Sequence, residues 1–183
     1  MSKKVLVPIA HGTEETEAVT IIDILRRAGA DVTVAACGGQ LGITASRGVE
    51  LVADRQIEGC LNEKFDCIVL PGGARGAEHL RDDPTLTEML LNQNKSGRYI
   101  GAICAAPAVI LEFHEILDNH KATCHPDFAP KLENQEAIGQ RVVIDGNIIT
   151  GQGPGTALEF SLALVQLLYG EKKANDIAKA VVV

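Results

Sequence analysis

The stretch that predicts the fold runs from Lys3 to Cys37 and reads KKVLVPIAHGTEETEAVTIIDILRRAGADVTVAAC. Its first part, up to Ala10, is a short apolar run rich in β-branched residues, which is typical of a buried strand. Acidic residues then open a segment whose apolar residues recur at helical spacing until Gly29 ends the pattern. A second apolar run begins at Asp31. Strand, helix and strand within about 35 residues predict a right-handed parallel crossover unit.

The rest of the chain continues this alternation. We expect further strands at Gly42–Ala45, Val49–Ala53, Asp66–Leu70, Arg98–Ile103, Ala122–His125, Arg141–Ile144 and Ile148–Thr150. We expect helices over Asp83–Lys95 and Ala105–Leu111, and two more that begin near Pro154 and Glu171. The pattern predicts one domain over residues 1–183, folded as a doubly wound α/β sandwich with a mostly parallel sheet and helices on both faces.

Composition argues against several classes of protein. Aromatic residues make up 3% of the 183 positions, there is no Trp, and the net charge is -7, so we expect no stable binding of nucleic acid. The apolar runs are shorter than the roughly 20 residues of a membrane span, so no membrane association is expected. The five cysteines are odd in number and no two have CxxC spacing, which favours neither a disulfide framework nor a zinc site. With a charged start and no signal-peptide pattern, these features predict a cytoplasmic protein.

Four predicted strands end in glycine or in a reactive side chain. In open α/β sheets, ligands bind outside the carboxyl ends of the parallel strands, so these ends should meet at one edge. They are Ala10–Gly12, Pro71–Gly73, Cys104–Ala105 and Gly151–Gly153. This edge is where we expect the functional site.

Cys104 lies in the sequence GAICAAP, where small residues flank it at the spacing of a hydrolase nucleophile elbow. A sharp strand-to-helix turn leaves no room for bulky neighbours, and a following helix N-terminus would lower the pKa of the thiol. A free cysteine is also among the most buried residue types, so an inert core position is the alternative. The strand-exit position favours a catalytic role.

Three further candidates could support such a cysteine. Glu17, one helical turn after Glu14, has small and apolar neighbours, so a partly buried carboxyl with a raised pKa could share a proton with the thiol. Gly72 and Gly73 form either a tight turn or a set of backbone N–H donors for an oxyanion. His125, in a pre-proline position, is either structural or the best base among the five histidines, with His11 as second candidate.

Seven segments occur along almost the whole chain in the order of a known family: EETEAV, DILRRAGADVTVA, SRGV, IVLPGGARGAEHLRD, GAICAAP, TCHPDF and GQGPGTALEF. In combination they resemble the ThiJ/PfpI superfamily, in the branch of the Parkinson's-disease protein deglycase and its bacterial relatives. The resemblance implies a flavodoxin-like fold, a homodimer, and an oxidation-sensitive catalytic cysteine at Cys104. It also implies a carboxyl partner at Glu17, a nearby histidine at His125 and an oxyanion site at the backbone of Gly72, Gly73 and Ala105.

The activity that this resemblance implies is a cysteine-dependent glyoxalase or protein deglycase that needs neither a metal nor an organic cofactor. Its substrates would be methylglyoxal, glyoxal or their adducts on the amines and thiols of glycated proteins, with lactate or glycolate released. The alternative is an oxidative-stress sensor and redox chaperone that uses the oxidisable Cys104. A glutamine amidotransferase-like transfer is weaker, because no downstream His-x-Glu pair appears.

Three positions depart from the family pattern. Ala45 replaces a second, more exposed cysteine that the animal members have. Gln152 stands before the Gly-Pro-Gly turn, where relatives often have Arg. Ala105 follows the cysteine, where the protease-like branch has His, which argues against a Cys-His-Glu protease.

Overall fold

A seven-stranded sheet forms the middle layer of the computed structural model, which describes residues 2–183. Its strands are β1 Lys4–Ile9, β2 Asp31–Ala36, β5 Arg55–Gln56, β6 Cys67–Leu70, β7 Tyr99–Ile103, β8 Val142–Asp145 and β9 Ile148–Gly151. They lie in the order β5–β2–β1–β6–β7–β9–β8, and all are parallel except the edge strand β8. A separate antiparallel pair consists of β3 Gly42–Thr44 and β4 Glu50–Val52.

Within the described part of the chain, five α-helices cover the sheet: α1 Glu15–Ala28, α2 Ala74–Asp82, α3 Pro84–Lys95, α4 Ala157–Tyr169 and α5 Glu171–Ala180. Helices α1, α4 and α5 pack against one another in one layer, while α2 and α3 pack together in another. No helix within residues 2–183 is long and apolar enough to cross a membrane. The expected mostly parallel α/β sandwich is thus confirmed.

The first crossover unit folds as its sequence predicts. Helix α1 ends at Gly29, whose φ of 93° is the left-handed conformation that glycine adopts most easily. Its N-cap is Glu14, whose carboxylate accepts the Glu17 N–H. Thr13 accepts the Ala10 N–H through its hydroxyl, so it closes the turn that leaves β1.

One helix was missed and two predicted elements need correction. The missed helix is α2, where Gly76 interrupts the apolar pattern. The segment after Cys104 is a turn followed by a π-helix at Pro107–Glu112, rather than a helix from Ala105. The predicted strand Ala122–His125 is wrong, because β9 already occupies the place beside β7. Backbone N–H groups of this segment donate hydrogen bonds to the Thr150 hydroxyl and to the Cys104 carbonyl instead.

The core between β7, β9 and α4 holds the end of β7 in place. Two strand glycines, Gly101 and Gly151, face the ring of Phe160, and a Cβ on either would lie within 3.2 Å of that ring. Phe160 is fully buried, and burying an aromatic side chain of this size is worth about 2–3 kcal/mol. The strand that carries Cys104 at its exit is therefore fixed by packing from the helix layer beneath it.

Candidate active site

Cys104 occupies a sharp turn at the exit of β7. Its φ of 64° lies in the left-handed region, which costs a non-glycine residue about 1–3 kcal/mol. Hydrogen bonds on both sides hold this backbone: the Cys104 N–H donates to the Gly151 carbonyl at 3.0 Å, and the Cys104 carbonyl accepts the His125 N–H at 2.9 Å. Ala105 and Ala106 are fully buried, so no bulkier side chain fits there. Strand pairing and the small neighbours together maintain a strained cysteine, as in a nucleophile elbow.

The carboxyl of Glu17 is fully buried and lies beside the Cys104 thiol. Its Oε2 accepts the Gly72 N–H at 2.7 Å, while Oε1 has no nitrogen or oxygen partner among the described residues. Burial raises the pKa of Glu17 from 4.5 to about 7, although the Gly72 N–H acts in the opposite direction. The raised pKa that the sequence predicts is therefore found, and Glu17 can exchange a proton near neutral pH.

Gly72 lies against both reactive side chains, those of Cys104 and Glu17, and leaves no room for a side chain of its own. A Cβ on Gly72 would lie 2.5 Å from the Cys104 Cβ and 2.8 Å from Glu17 Oε2. Its lack of a side chain is what permits the thiol and the carboxyl to meet. Because its N–H already donates to Glu17, Gly72 is not free to serve as the oxyanion donor that the sequence predicts.

Two other backbone N–H groups face the sulfur of Cys104, those of Gly73 and Ala105. Gly73 has a φ of 85°, and a Cβ there would collide with the Gly12 carbonyl, so only glycine fits between this loop and the end of β1. These two donors follow the ends of two different strands, β6 and β7, and converge on the sulfur of Cys104. They form the candidate oxyanion site.

The expected lowering of the Cys104 pKa is wrong for this structure. Burial and the neighbouring Glu17 carboxylate raise the pKa of Cys104 to about 12, and they outweigh the N–H groups of Gly73 and Ala105. Cys104 as a residue is 7% exposed, so little water is available to stabilise a thiolate. Cys104 and Glu17 must therefore act as a pair that shares one proton.

His125 lines the same cleft as Cys104, but among residues 2–183 no hydrogen bond joins its ring to the thiol. Its Nδ1 accepts the Asp127 N–H at 3.3 Å and lies 3.6 Å from Oδ2 of Asp127. A backbone N–H can only donate, so the neutral ring carries its proton on Nε2. In this tautomer Nε2 of His125 is a hydrogen-bond donor, and its role as the base that its sequence context suggests stays a prediction.

The cleft over Cys104 has a volume of about 680 Å³, and residues beyond the candidates predicted from the sequence also line it. His11, the second candidate, lies in its wall, as does His79, for which the sequence offers no functional context. Arg47 and Arg75 also line it. The sequence does contain an indication of Arg75, because this residue follows the glycine-rich end of β6, at the edge where ligands bind in such sheets.

Glu15 and Gln152 are close in sequence to residues of this site, but neither of them lines the cleft. The Glu15 carboxylate accepts the Ser46 hydroxyl at 2.7 Å and the Arg47 N–H at 2.8 Å. It thereby fixes the loop between β3 and β4 against the cleft. Gln152 donates its N–H to the Arg141 carbonyl, and its side chain is not part of the cleft wall.

A strained cysteine at the carboxyl edge of a parallel sheet, beside a buried carboxyl and two inward N–H groups, defines an α/β protein with a nucleophile elbow. Comparison with known proteins gives the family. The model of the DJ-1/PfpI family matches residues 3–167, and the chain belongs to that family. All five cysteines, which lie within the described residues, are free and buried, so no disulfide contributes to the fold.

Individual relatives agree with this assignment. Protein DJ-1 homolog B of Arabidopsis thaliana is 49% identical over 180 residues, which are 98% of this chain and 41% of that protein. Glutathione-independent glyoxalase DJR-1.2 of Caenorhabditis elegans is 36% identical over 180 residues, 97% of this chain and 94% of that protein. The solved structure of oxidized Toxoplasma gondii DJ-1 has a TM-score of 0.96 at 44% identity, covering 99% of this chain and 98% of that one. The chain spans less than half the length of two Arabidopsis relatives, 41% and 46%.

Proposed function

We propose that the protein is a cofactor-free glyoxalase that converts methylglyoxal or glyoxal to lactate or glycolate through Cys104. The observation that supports this most is the buried Glu17 carboxyl, with a pKa of about 7, beside a cysteine whose sulfur faces two backbone N–H groups. Conversion of a 2-oxoaldehyde to a hydroxy acid needs a nucleophile, an oxyanion site and one group that can remove and return a proton. The named glyoxalase among the relatives supports the same chemistry.

The reaction begins with addition of sulfur to the aldehyde. The ionised Glu17 takes the thiol proton as Sγ bonds to the aldehyde carbon, and the N–H groups of Gly73 and Ala105 stabilise the oxyanion that forms. Protonation of that oxyanion gives the hemithioacetal. Because the Cys104 pKa is raised, this transfer to a carboxylate in contact is what makes the thiol nucleophilic.

Proton transfer between the two carbons follows. Glu17 removes the hydrogen of the former aldehyde carbon and returns it to the neighbouring carbon through an enediol, which leaves a thioester of the hydroxy acid on Cys104. The Nε2–H of His125 would donate to the second carbonyl oxygen during this step. Water then cleaves the thioester, releasing lactate or glycolate and restoring the thiol.

Lactate release from methylglyoxal tests the proposal. We expect Cys104→Ala and Glu17→Gln to lose activity by at least about 100-fold, while Cys37→Ala, a buried cysteine outside the cleft, keeps it. Equal rates for wild type and Cys104→Ala would remove Cys104 from the mechanism. The same assay on a peptide glycated with methylglyoxal ranks deglycation against disposal of the free aldehyde.

A redox role is the second candidate, supported by the pair of Cys104 and Glu17 and by the relative solved in an oxidized form. Two equivalents of hydrogen peroxide would convert the thiol to a sulfinic acid and release two waters, and protonated Glu17 would donate a hydrogen bond to the product. Mass analysis after mild peroxide should find two oxygen atoms on Cys104 before any appear on the other four cysteines. Earlier oxidation elsewhere contradicts a sensor and redox-chaperone role.

The chain is also proposed to act as a homodimer. Val19 is 49% exposed and Val182 is 93% exposed, and both lie with Leu158 on the face formed by α1, α4 and α5. An apolar surface of this kind favours burial against a second copy.

A further inference from the structure

The wall of the cleft over Cys104 carries two arginines that form no ion pair with an acidic side chain among the described residues. Five of the eight arginines form ion pairs with Asp or Glu: Arg26, Arg27, Arg55, Arg81 and Arg141. Arg47 and Arg75 form none within residues 2–183, and both line the cleft. Guanidinium groups bind carboxylates and phosphates with matched hydrogen-bond geometry, so an unpaired pair beside a reactive thiol points to an acidic ligand.

The backbone fixes where Arg75 stands. It lies in the first turn of α2, and its Cβ packs against Gly12 at the end of β1, where a glycine Cβ would come within 2.8 Å of it. Gly12 has a φ of 84°, which glycine adopts without strain. The close approach of these two loops places Arg75 at the same sheet edge as Cys104.

One imidazole ring adds a fixed donor to the same wall. Nδ1 of His11 accepts the Thr44 N–H at 3.0 Å, so the neutral ring carries its proton on Nε2, as argued for His125. His79 donates from Nδ1 to the His11 carbonyl at 2.8 Å, so the donor of its neutral ring is already used. The neutral His11 ring therefore adds one N–H donor beside the arginines.

The acidic side chains of the cleft already have partners. The carboxylate of Glu14 caps α1 by accepting the Glu17 N–H at 2.7 Å, and that of Asp127 lies 3.6 Å from Nδ1 of His125. Among residues 2–183, neither guanidinium of the cleft has such a partner, so the two arginines are the charged groups of the wall that are available to an anion.

We propose that Arg75, with Arg47 and His11 beside it, binds an acidic group of the substrate, so that the enzyme prefers 2-oxoaldehydes that carry a carboxylate or a phosphate. This inference rests on the proposed glyoxalase function and specifies its substrate class. A cleft of about 680 Å³ leaves most of its space empty around methylglyoxal, which has only three carbons. A longer, charged aldehyde would use that space while its reactive end meets Cys104.

A matched pair of aldehydes tests the preference. 4,5-Dioxopentanoate carries a carboxylate where 2-oxopentanal, of equal length, has a methyl group, and the reacting ends are the same. We expect kcat/KM for the charged compound to exceed that for the neutral one by about tenfold or more in the wild type. Equal kcat/KM values overturn the proposal.

Substitution of Arg75 locates the effect. Arg75→Gln should reduce the ratio of the two kcat/KM values to near one, and Arg75→Lys should retain part of it. Arg81→Gln is the control, because Arg81 lies on the same helix but is paired with Asp82 outside the cleft, and it should leave the ratio unchanged. A ratio that survives Arg75→Gln, or that falls equally with Arg81→Gln, overturns the assignment.

An experiment without turnover separates this proposal from the proposed function. Should neither aldehyde be consumed, the glyoxalase proposal fails, and alkylation of Cys104 by neutral iodoacetamide then reports on the anion site alone. Millimolar inorganic phosphate or 4-oxopentanoate should slow alkylation in wild type and not in Arg75→Gln. The more protective compound identifies phosphate or carboxylate as the preferred group, and absence of protection by both overturns the site.

Discussion

Replacing Glu17 by Gln should abolish activity and, at the same time, stabilise the protein above neutral pH. Glutamine has nearly the same shape, and its side-chain oxygen can still accept the Gly72 N–H that Glu17 Oε2 accepts at 2.7 Å. What it removes is a negative charge in a fully buried position next to the Cys104 sulfur. Catalytic groups are commonly held in positions that cost stability, and Glu17 is such a group.

The size of the effect follows from the pKa. Burial raises the pKa of Glu17 from 4.5 to about 7, so the folded protein holds this proton more tightly than the unfolded chain. Its contribution to stability is full below pH 4.5 and is lost as pH rises through about 7. The complete loss corresponds to about 3 kcal/mol, most of which falls between pH 5 and pH 8. Glu17→Gln should therefore gain about 2–3 kcal/mol on the wild type between these two pH values.

Urea unfolding followed by circular dichroism at pH 5 and pH 8 measures this difference, at one fixed protein concentration because a dimer is proposed. Glu15→Gln is the control. Burial acts to raise the Glu15 pKa, but hydrogen bonds from its own N–H, Ser46 and Arg47 outweigh it and the pKa is lowered. Its replacement should cost similar stability at both pH values. If the difference between Glu17→Gln and wild type is the same at pH 5 and pH 8, burial does not hold the Glu17 proton and the reasoning is refuted.

Three further predictions concern the same site and the dimer. Gly72→Ala should inactivate the enzyme and cost about 1–3 kcal/mol of unfolding free energy, because its Cβ would meet the Cys104 Cβ at 2.5 Å. Gly42→Ala, in open space, is the control, and retained activity in Gly72→Ala contradicts the contact. The kcat/KM for methylglyoxal should rise with pH through about 7 as Glu17 ionises, with no such step in the residual activity of Glu17→Gln. Val19→Asp should shift sedimentation from dimer toward monomer by placing a charge on the exposed apolar face; an unchanged dimer would exclude that face as the interface.

The sequence by itself determines the class of fold and the edge that bears the site. Parallel strands buried on both faces, such as CIVL in β6, require continuous apolar runs, and these are visible without coordinates. Glycine or cysteine directly after four such runs marks their carboxyl ends. The carboxyl partner was also predictable, because Glu17 has apolar neighbours at the start of an amphipathic helix.

Only the tertiary structure decides how the groups at this edge act. The bond from Gly72 to Glu17 joins residues 55 positions apart, and it removes Gly72 from the oxyanion site. Burial of the two side chains beside each other raises both pKa values of the pair, against the sequence expectation of a low-pKa thiol, since desolvation depends on what surrounds a group in space. Arg75 likewise acquires its place from the approach of α2 to Gly12. Periodicity records which residues are buried, whereas hydrogen bonds, desolvation and charge pairing arise between residues that meet only after folding.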